Sequence, residues 1–228
     1  MTHAATLQRP DAALRPTIGP ERLHHLAFMT FDTGATAKFY GEVLGMPLVN
    51  AVVDHEVPST KAPYPYFHSF FRMASGETLA FFECPGIPRP GPKPHPAYND
   101  FEHLAMQVPT KADVLAWRRW LESRGLSVID ADHGIIYSIY FRDPVNDIRL
   151  EITTTLKPEW NDQGASAQQA LEQWEATKRQ AAASGRDVVE ALRNLAKARS
   201  DHANLRRKDG GIRTRVGARP VRRDVAVH

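Results

Sequence analysis

The chain has 228 residues, 42% hydrophobic and 24% charged, ordinary values for a globular protein with one domain and appendages or two small domains. No apolar run reaches bilayer-spanning length, and the opening MTHAATLQRPDAALRP offers no apolar stretch ahead of a small-residue cleavage site, so a cytoplasmic protein without a membrane partner is expected. The formal charge of +3 averages two unlike parts: residues 178–228 hold 14 Lys+Arg against 5 Asp+Glu, a balance of +9, which leaves −6 for residues 1–177, so the basic character belongs to the tail and no nucleic-acid partner is expected.

Cys84 is the single cysteine. It excludes an intrachain disulfide and a thiolate-rich zinc site, so any metal must be held by histidine and carboxylate.

Residues 1–19 read as an Ala-, Pro- and Arg-rich arm. An internal repeat follows, the most informative feature of the chain. Its first copy opens with His25-Leu26-Ala27-Phe28 and its second with His103-Leu104-Ala105-Met106, each an alternating short strand. Helical spacing follows over 35–44, ending at Gly45, and over 111–124, ending at Gly125. Strands are then expected over 48–53, 66–73 and 78–83 in the first copy, and over 127–131, 136–142 and 149–155 in the second. A Pro-rich linker, 85–97, separates modules 20–84 and 98–157. Beyond 157 a helical extension is expected over 158–206, as two helices (165–183 and 187–204) broken at Ser184-Gly185. A basic tail without order is expected from 207 to 228.

Residues two apart on a strand share a face. If the large apolar residues face the helices, His25 and His103 fall on the opposite, concave side. Leu79-Ala80-Phe81 matches Leu150-Glu151-Ile152, so Ala80 and Glu151 occupy equivalent places on that same side. Two imidazoles and one carboxylate with open positions suit Fe(II) oxygen chemistry. Glu83, three residues past Ala80, faces away and reads as a solvated strand end. His24 has the wrong parity for a ligand.

These features, His25-Leu-Ala-Phe with Asp32, Phe39-Tyr40 and Val43-Leu44-Gly45 in one half and His103-Leu-Ala-Met with Ser138-Ile-Tyr-Phe-Arg-Asp-Pro144 and Leu150-Glu151 in the other, resemble the vicinal oxygen chelate superfamily over about residues 20–157. That group contains glyoxalase I lyases, fosfomycin-resistance transferases, bleomycin-binding proteins and type I extradiol dioxygenases. The resemblance implies a metal held by His25, His103 and Glu151. Glyoxalase I has a fourth ligand where this chain has Ala80, whereas extradiol enzymes carry three ligands and a signature matched here by His133, Ile139-Tyr140, Asp143-Pro144 and Glu151. His133 and Tyr140 would then contact substrate oxygens or dioxygen. The chain departs from that signature at Ala131, in a longer turn before Glu151, and at Asn146, which replaces a turn glycine and whose tolerance of left-handed backbone would preserve the turn. It also has Glu77 where extradiol enzymes have an acid–base histidine. Glu77 with a raised pKa, or His68 on the neighbouring strand, would carry the proton instead. Two registers of the repeat put His68 on opposite faces.

The expected fold is α+β, two βαβββ modules forming one cupped mixed sheet around a metal, followed by a C-terminal helical extension. The expected activity is that of a metal-dependent, non-haem Fe(II) dioxygenase acting with molecular oxygen on a catechol-like or other vicinal-oxygen small molecule; the aromatics over 64–82 read one by one as core, their density suggests a partly aromatic cavity, and an aromatic substrate and a homodimer are the partners considered. Mn(II), Zn(II) and Ni(II) are the alternative metals. The rival activities are a glyoxalase-like lyase, isomerase or thiol transferase using the same chelation, and a small-molecule-binding resistance protein.

Overall fold

The computed structural model describes Pro16 and residues 18–212, with side-chain surroundings up to Asp201. The expected arm therefore lies mostly outside the described residues, as does the tail beyond 212. The chain divides into two compact units, one up to Pro158 and one from Glu159.

The first module runs β1 (His25–Thr30), α1 (Thr33–Lys38), a π-helical turn (Phe39–Val43), β2 (Leu48–Asp54), β3 (Tyr66–Arg72) and β4 (Thr78–Glu83). The second runs α2 (Ala97–Phe101), β5 (Leu104–Gln107), α3 (Lys111–Ser123), β6 (Ile129–Asp132), β7 (Ile136–Arg142) and β8 (Arg149–Thr155). Each module forms a four-stranded mixed sheet, in the orders β1-β4-β3-β2 and β5-β8-β7-β6. The βαβββ repeat is thus present in both halves. The two ladders stay separate: β1 and β5 are the outer strands of their sheets and are not hydrogen-bonded to each other.

Local chemistry sets the helix starts. The Asp32 carboxylate accepts the Ala35 N–H at 2.8 Å and opens α1 two residues earlier than its apolar spacing implies. Thr110 and Asp113 form a reciprocal capping box on α3. The end of the first helix departs from the α pattern. Around Gly41, a weak helix former, the turn widens so that the Leu44 N–H reaches the Phe39 carbonyl at 3.1 Å, before Gly45 reverses the chain at φ +70°.

One core serves both modules. Phe71, Leu79 and Phe81 of the first sheet and Ile139, Phe141, Leu150 and Ile152 of the second are buried together with Tyr40, Val114 and Leu121 from the helices. Polar bonds fasten the modules at that core: the Tyr40 hydroxyl donates to Asp143 Oδ2 at 3.1 Å, Asn146 Nδ2 to Thr36 Oγ1 at 3.2 Å, and Trp120 Nε1 to the Val43 carbonyl at 2.8 Å. Asp143 also accepts the Val145 and Asn146 N–H groups, closing the turn before β8. Left-handed backbone in that turn falls on Asp147 (φ +56°) and not on Asn146, whose amide is instead committed to Thr36 and Asp143.

A short 3-10 turn (Pro158–Asn161) leads into the second unit, which holds two helices, α4 (Gly164–Ala183) and α5 (Val188–Ile212), packed on each other. Gly185 at φ +67° makes the break, and Asp187 accepts the Val189 N–H to start α5. Helix continues past Arg206 to Ile212, further than the expected order. No helix among the described residues is long and apolar enough to cross a membrane.

Burial and the neighbouring Asp143 hold the Tyr40 phenol protonated far above its ordinary range. Tyr40→Phe should therefore lower unfolding free energy by about 1–2 kcal/mol, because Asp143 keeps its turn donors but loses one buried partner. Chemical denaturation checks this, and an unchanged midpoint would mean that the bond does not couple the modules.

Candidate functional site

Strand registers fix which side chains share the open face of each sheet. In the first sheet His25, Ala27 and Met29 of β1 stand beside Thr78, Ala80 and Phe82 of β4, and Phe82 stands beside His68 of β3. The β3–β4 register thereby puts His68 on the same face as His25. In the second sheet Ala105 of β5 pairs with Glu151 of β8, which pairs with Tyr140 of β7, and His103 precedes Ala105 by two positions.

The second sheet holds the tighter cluster. Glu151 is only 2% exposed, and its Oε2 lies 2.8 Å from His103 Nε2. The other ring nitrogen of His103 lies 2.8 Å from the Phe101 carbonyl. A carbonyl can only accept, so Nδ1 carries the proton and Nε2 is turned to the carboxylate, the orientation a metal-ligating imidazole takes. Tyr140 stands edge-on to the His103 ring with centroids 5.6 Å apart, and its hydroxyl is 3.2 Å from His133 Nε2. Burial, and then the Glu151 charge, push the Tyr140 phenol up, so it stays a hydrogen-bond donor at neutral pH. Arg149 lies over its ring, 4.4 Å from the centroid, a contact that sequence reading did not find because it depends on the β7–β8 pairing.

On the first sheet, His25 Nδ1 lies 2.8 Å from His24 Nδ1, and its ring meets Phe70 edge-on at 5.9 Å. His68 stacks on Phe82 at 3.5 Å and leans on Phe70 at 4.1 Å. Its Nε2 is buried without a hydrogen-bond partner among the described residues. Burial, and then His25, lower its pKa below the ordinary 6.5. Glu77 occupies the β3–β4 turn, where a hydrogen bond from Ser75 lowers its pKa, opposite to the raised value its proton-carrying role requires. Glu83 is more than a solvated strand end, since its carboxylate accepts the Thr33 N–H at 2.7 Å at the start of α1.

Among the described residues, no three His, Cys, Asp or Glu side chains come together closely enough to hold a metal ion. The chain brings His103 and Glu151 together. It does not bring His25 to them.

A family model described as the Glyoxalase/Bleomycin resistance protein/Dioxygenase superfamily matches residues 22–152, more than half of the chain and both modules. The chain belongs to this superfamily. A stretch of 102 residues is 29% identical to "Putative ring-cleaving dioxygenase MhqA" of Bacillus subtilis (strain 168), and covers 45% of this chain and 30% of that relative. The chain thus matches under a third of that relative's length. Solved structures with a similar fold include a glyoxylase/bleomycin resistance protein/dioxygenase domain from Frankia sp. EAN1pec (16% identity, TM-score 0.47, 60% of this chain and 99% of that one). Another is a glyoxalase/dioxygenase from Nostoc punctiforme (22% identity, TM-score 0.45, 63% and 99%).

Because its folded value lies below its unfolded one, His68 is neutral at pH 7, and the cost of charging it weakens the fold as pH falls through 6.5 and below. In an NMR titration its ring protons should report a pKa below 6.5, and Phe82→Ala, which readmits water to the ring, should bring it back toward 6.5. A value at or above 6.5 in the unmodified protein would contradict the buried placement.

Proposed function

We propose that this superfamily member is a metal-dependent dioxygenase, using Fe(II) and molecular oxygen on a catechol-like or other vicinal-oxygen small molecule. One observation carries the reading: a carboxylate buried to 2% exposure meets an imidazole nitrogen at 2.8 Å while a backbone carbonyl fixes that ring's other nitrogen. An imidazole nitrogen and a carboxylate oxygen held within 2.8 Å of each other are donor types that a divalent ion takes, and they are too polar to be explained as apolar packing. The limited match to a protein named as a ring-cleaving dioxygenase supports the same class. Ala80 offers no donor atom, which disfavours a four-ligand lyase.

A facial set of three needs one more ligand, and among the described residues of one chain none reaches the pair. His25 sits on β1, whose outer edge is unpaired, as is that of β5. The proposed assembly is therefore a homodimer in which His25 of one copy completes the His103–Glu151 pair of the other. When bound, the metal would supply the charge that acidifies two adjacent substrate hydroxyls and the redox chemistry with oxygen. Tyr140 donates its hydroxyl to a substrate oxygen, with His133 behind it as a proton partner. Neutral His68, on the same face of the first sheet as His25, is the proposed proton acceptor.

Anaerobically purified protein should contain iron by elemental analysis, in preference to manganese, zinc or nickel. His25→Ala, His103→Ala and Glu151→Ala should each lose most of it while staying folded. Refolding His25→Ala together with Glu151→Ala should restore about a quarter of the wild-type metal, because half the dimers are mixed and each mixed dimer has one intact site of two. Full metal in all three single variants sinks the ligand set, and no recovery in the mixture sinks the shared site. Tyr140→Phe should slow oxygen uptake with a catechol on the order of 10²-fold at unchanged metal content. A protein that holds metal yet consumes no oxygen with any vicinal-oxygen compound is not a dioxygenase.

A further inference from the structure

The sheets have a second side, the one that meets the helices, and where the two modules join there it is not filled. A cavity of about 490 Å³, within the range of small-molecule sites, opens between the π turn of the first module, the β3–β4 turn, α3 and the strands β5 and β8. Met106 of β5 pairs with Ile152 of β8 on the face opposite Ala105 and Glu151. The cavity therefore lies behind the proposed chelating pair, shares no residue with it and stands whether or not that pair holds metal.

Its walls are thioether and indole: Met46, Met73 and Met106 line it together with Trp117 and Trp120. Unbranched, polarisable thioethers adapt to a flat ring and make favourable contacts with it. Met46 and Met106 are 8% and 6% exposed, so the core fixes the floor, while Trp120 stands at the rim with its Nε1 donating to the Val43 carbonyl at 2.8 Å. The wall on the other side is the π turn itself, which brings Glu42 and Val43 to the cavity. Turns widened in this way are rare and gather at functional sites.

Charge narrows the ligand further. Glu42 is the one charged residue in the lining, and it makes no ion pair or side-chain hydrogen bond among the described residues. The indoles attract cations in their own right. Trp120 already has one, the Arg124 guanidinium, 5.3 Å from the ring centroid and outside the lining. Trp117 has none among the described residues. A positive group beside Glu42 and Trp117 would meet an unpaired carboxylate and an unoccupied indole together, whereas an anion would meet Glu42 as a like charge.

We propose that the cavity behind the sheets, at the junction of the two modules, binds an aromatic ammonium, with its ring among the methionines and Trp117 and its charge at Glu42.

The full chain is titrated with 4-phenylbutylammonium, 4-phenylbutanol and 4-phenylbutanoate, followed by tryptophan fluorescence and by calorimetry. The ammonium should bind saturably and about tenfold more tightly than the alcohol, and the carboxylate more weakly than either. Glu42→Gln, at an exposed position, should bring the ammonium down to the alcohol. The fluorescence change should persist in Trp160→Phe and in Trp174→Phe and be largely lost in Trp117→Phe. Carboxylate binding as tight as that of the ammonium, a preference that survives Glu42→Gln, a signal that disappears with Trp160 or Trp174, or no saturable binding of any of the three would each overturn the proposal. A protein that binds no ammonium and whose mass in sedimentation is halved by Ala74→Lys would give the groove to a second copy of the chain, and overturn it too.

Discussion

The inner strand beside each outer one, β4 in the first sheet and β8 in the second, buries alternate residues against the helices, and this register governs everything else in the two modules. Leu79 and Phe81 on β4, and Leu150 and Ile152 on β8, are at most 3% exposed. Each such side chain contributes about 1.5–3 kcal/mol by leaving water. A slip of one residue on β8 would expose Leu150 and Ile152 and drive the Glu151 carboxylate into the apolar core, where an unpaired charge is far costlier still. Glu151 is therefore held on the open face by its neighbours' burial. The position of the carboxylate is a consequence of packing, whatever chemistry it performs.

This dependence explains why some of the site was legible in the sequence. Where the large apolar side chains of a short stretch take one face and a small or polar one takes the other, as in Leu79-Ala80-Phe81 and Leu150-Glu151-Ile152, parity suffices, and Ala80 and Glu151 lie where it places them. Strand β3 is different. Tyr66 and Phe70 share the face of His68 while Phe67 and Phe71 take the other, so alternation carries no preference, and only the pairing of His68 with Phe82 decides its side. The π turn at Phe39–Val43 and the transfer of left-handed backbone from Asn146 to Asp147 depend on contacts beyond the immediate sequence, from Met46 to Tyr40 and from Asn146 to Thr36, that no local pattern encodes.

Convergence of the three ligands belongs to the same class of tertiary fact. Repeat symmetry says that His25 and His103 are equivalent, each at the start of the outer strand of its sheet. It says nothing about whether the two outer strands of one chain lie side by side. Here the modules are joined through their helices, by Tyr40 to Asp143 and Trp120 to Val43, while the two ladders remain separate. Equivalence in the repeat thus gave the right faces, and proximity did not follow from it.

The two open faces have also taken different chemical characters from a common plan. The second presents Glu151, Tyr140, Ser138 and Thr153, the last two bonded to each other at 2.8 Å, with Arg149 over the Tyr140 ring. The first presents Met29, Phe70, Phe82 and an imidazole whose Nε2 has no hydrogen-bond partner among the described residues. A polar face binds and orients by directional bonds, which are strong only where water is excluded. An apolar face contributes by area and excludes that water. The first face lacks the donors that the second supplies, and the second lacks the apolar cover of the first. In the proposed dimer one face of each kind would meet, so the separation of the two ladders within a single chain bears on that proposal as much as any one residue on either.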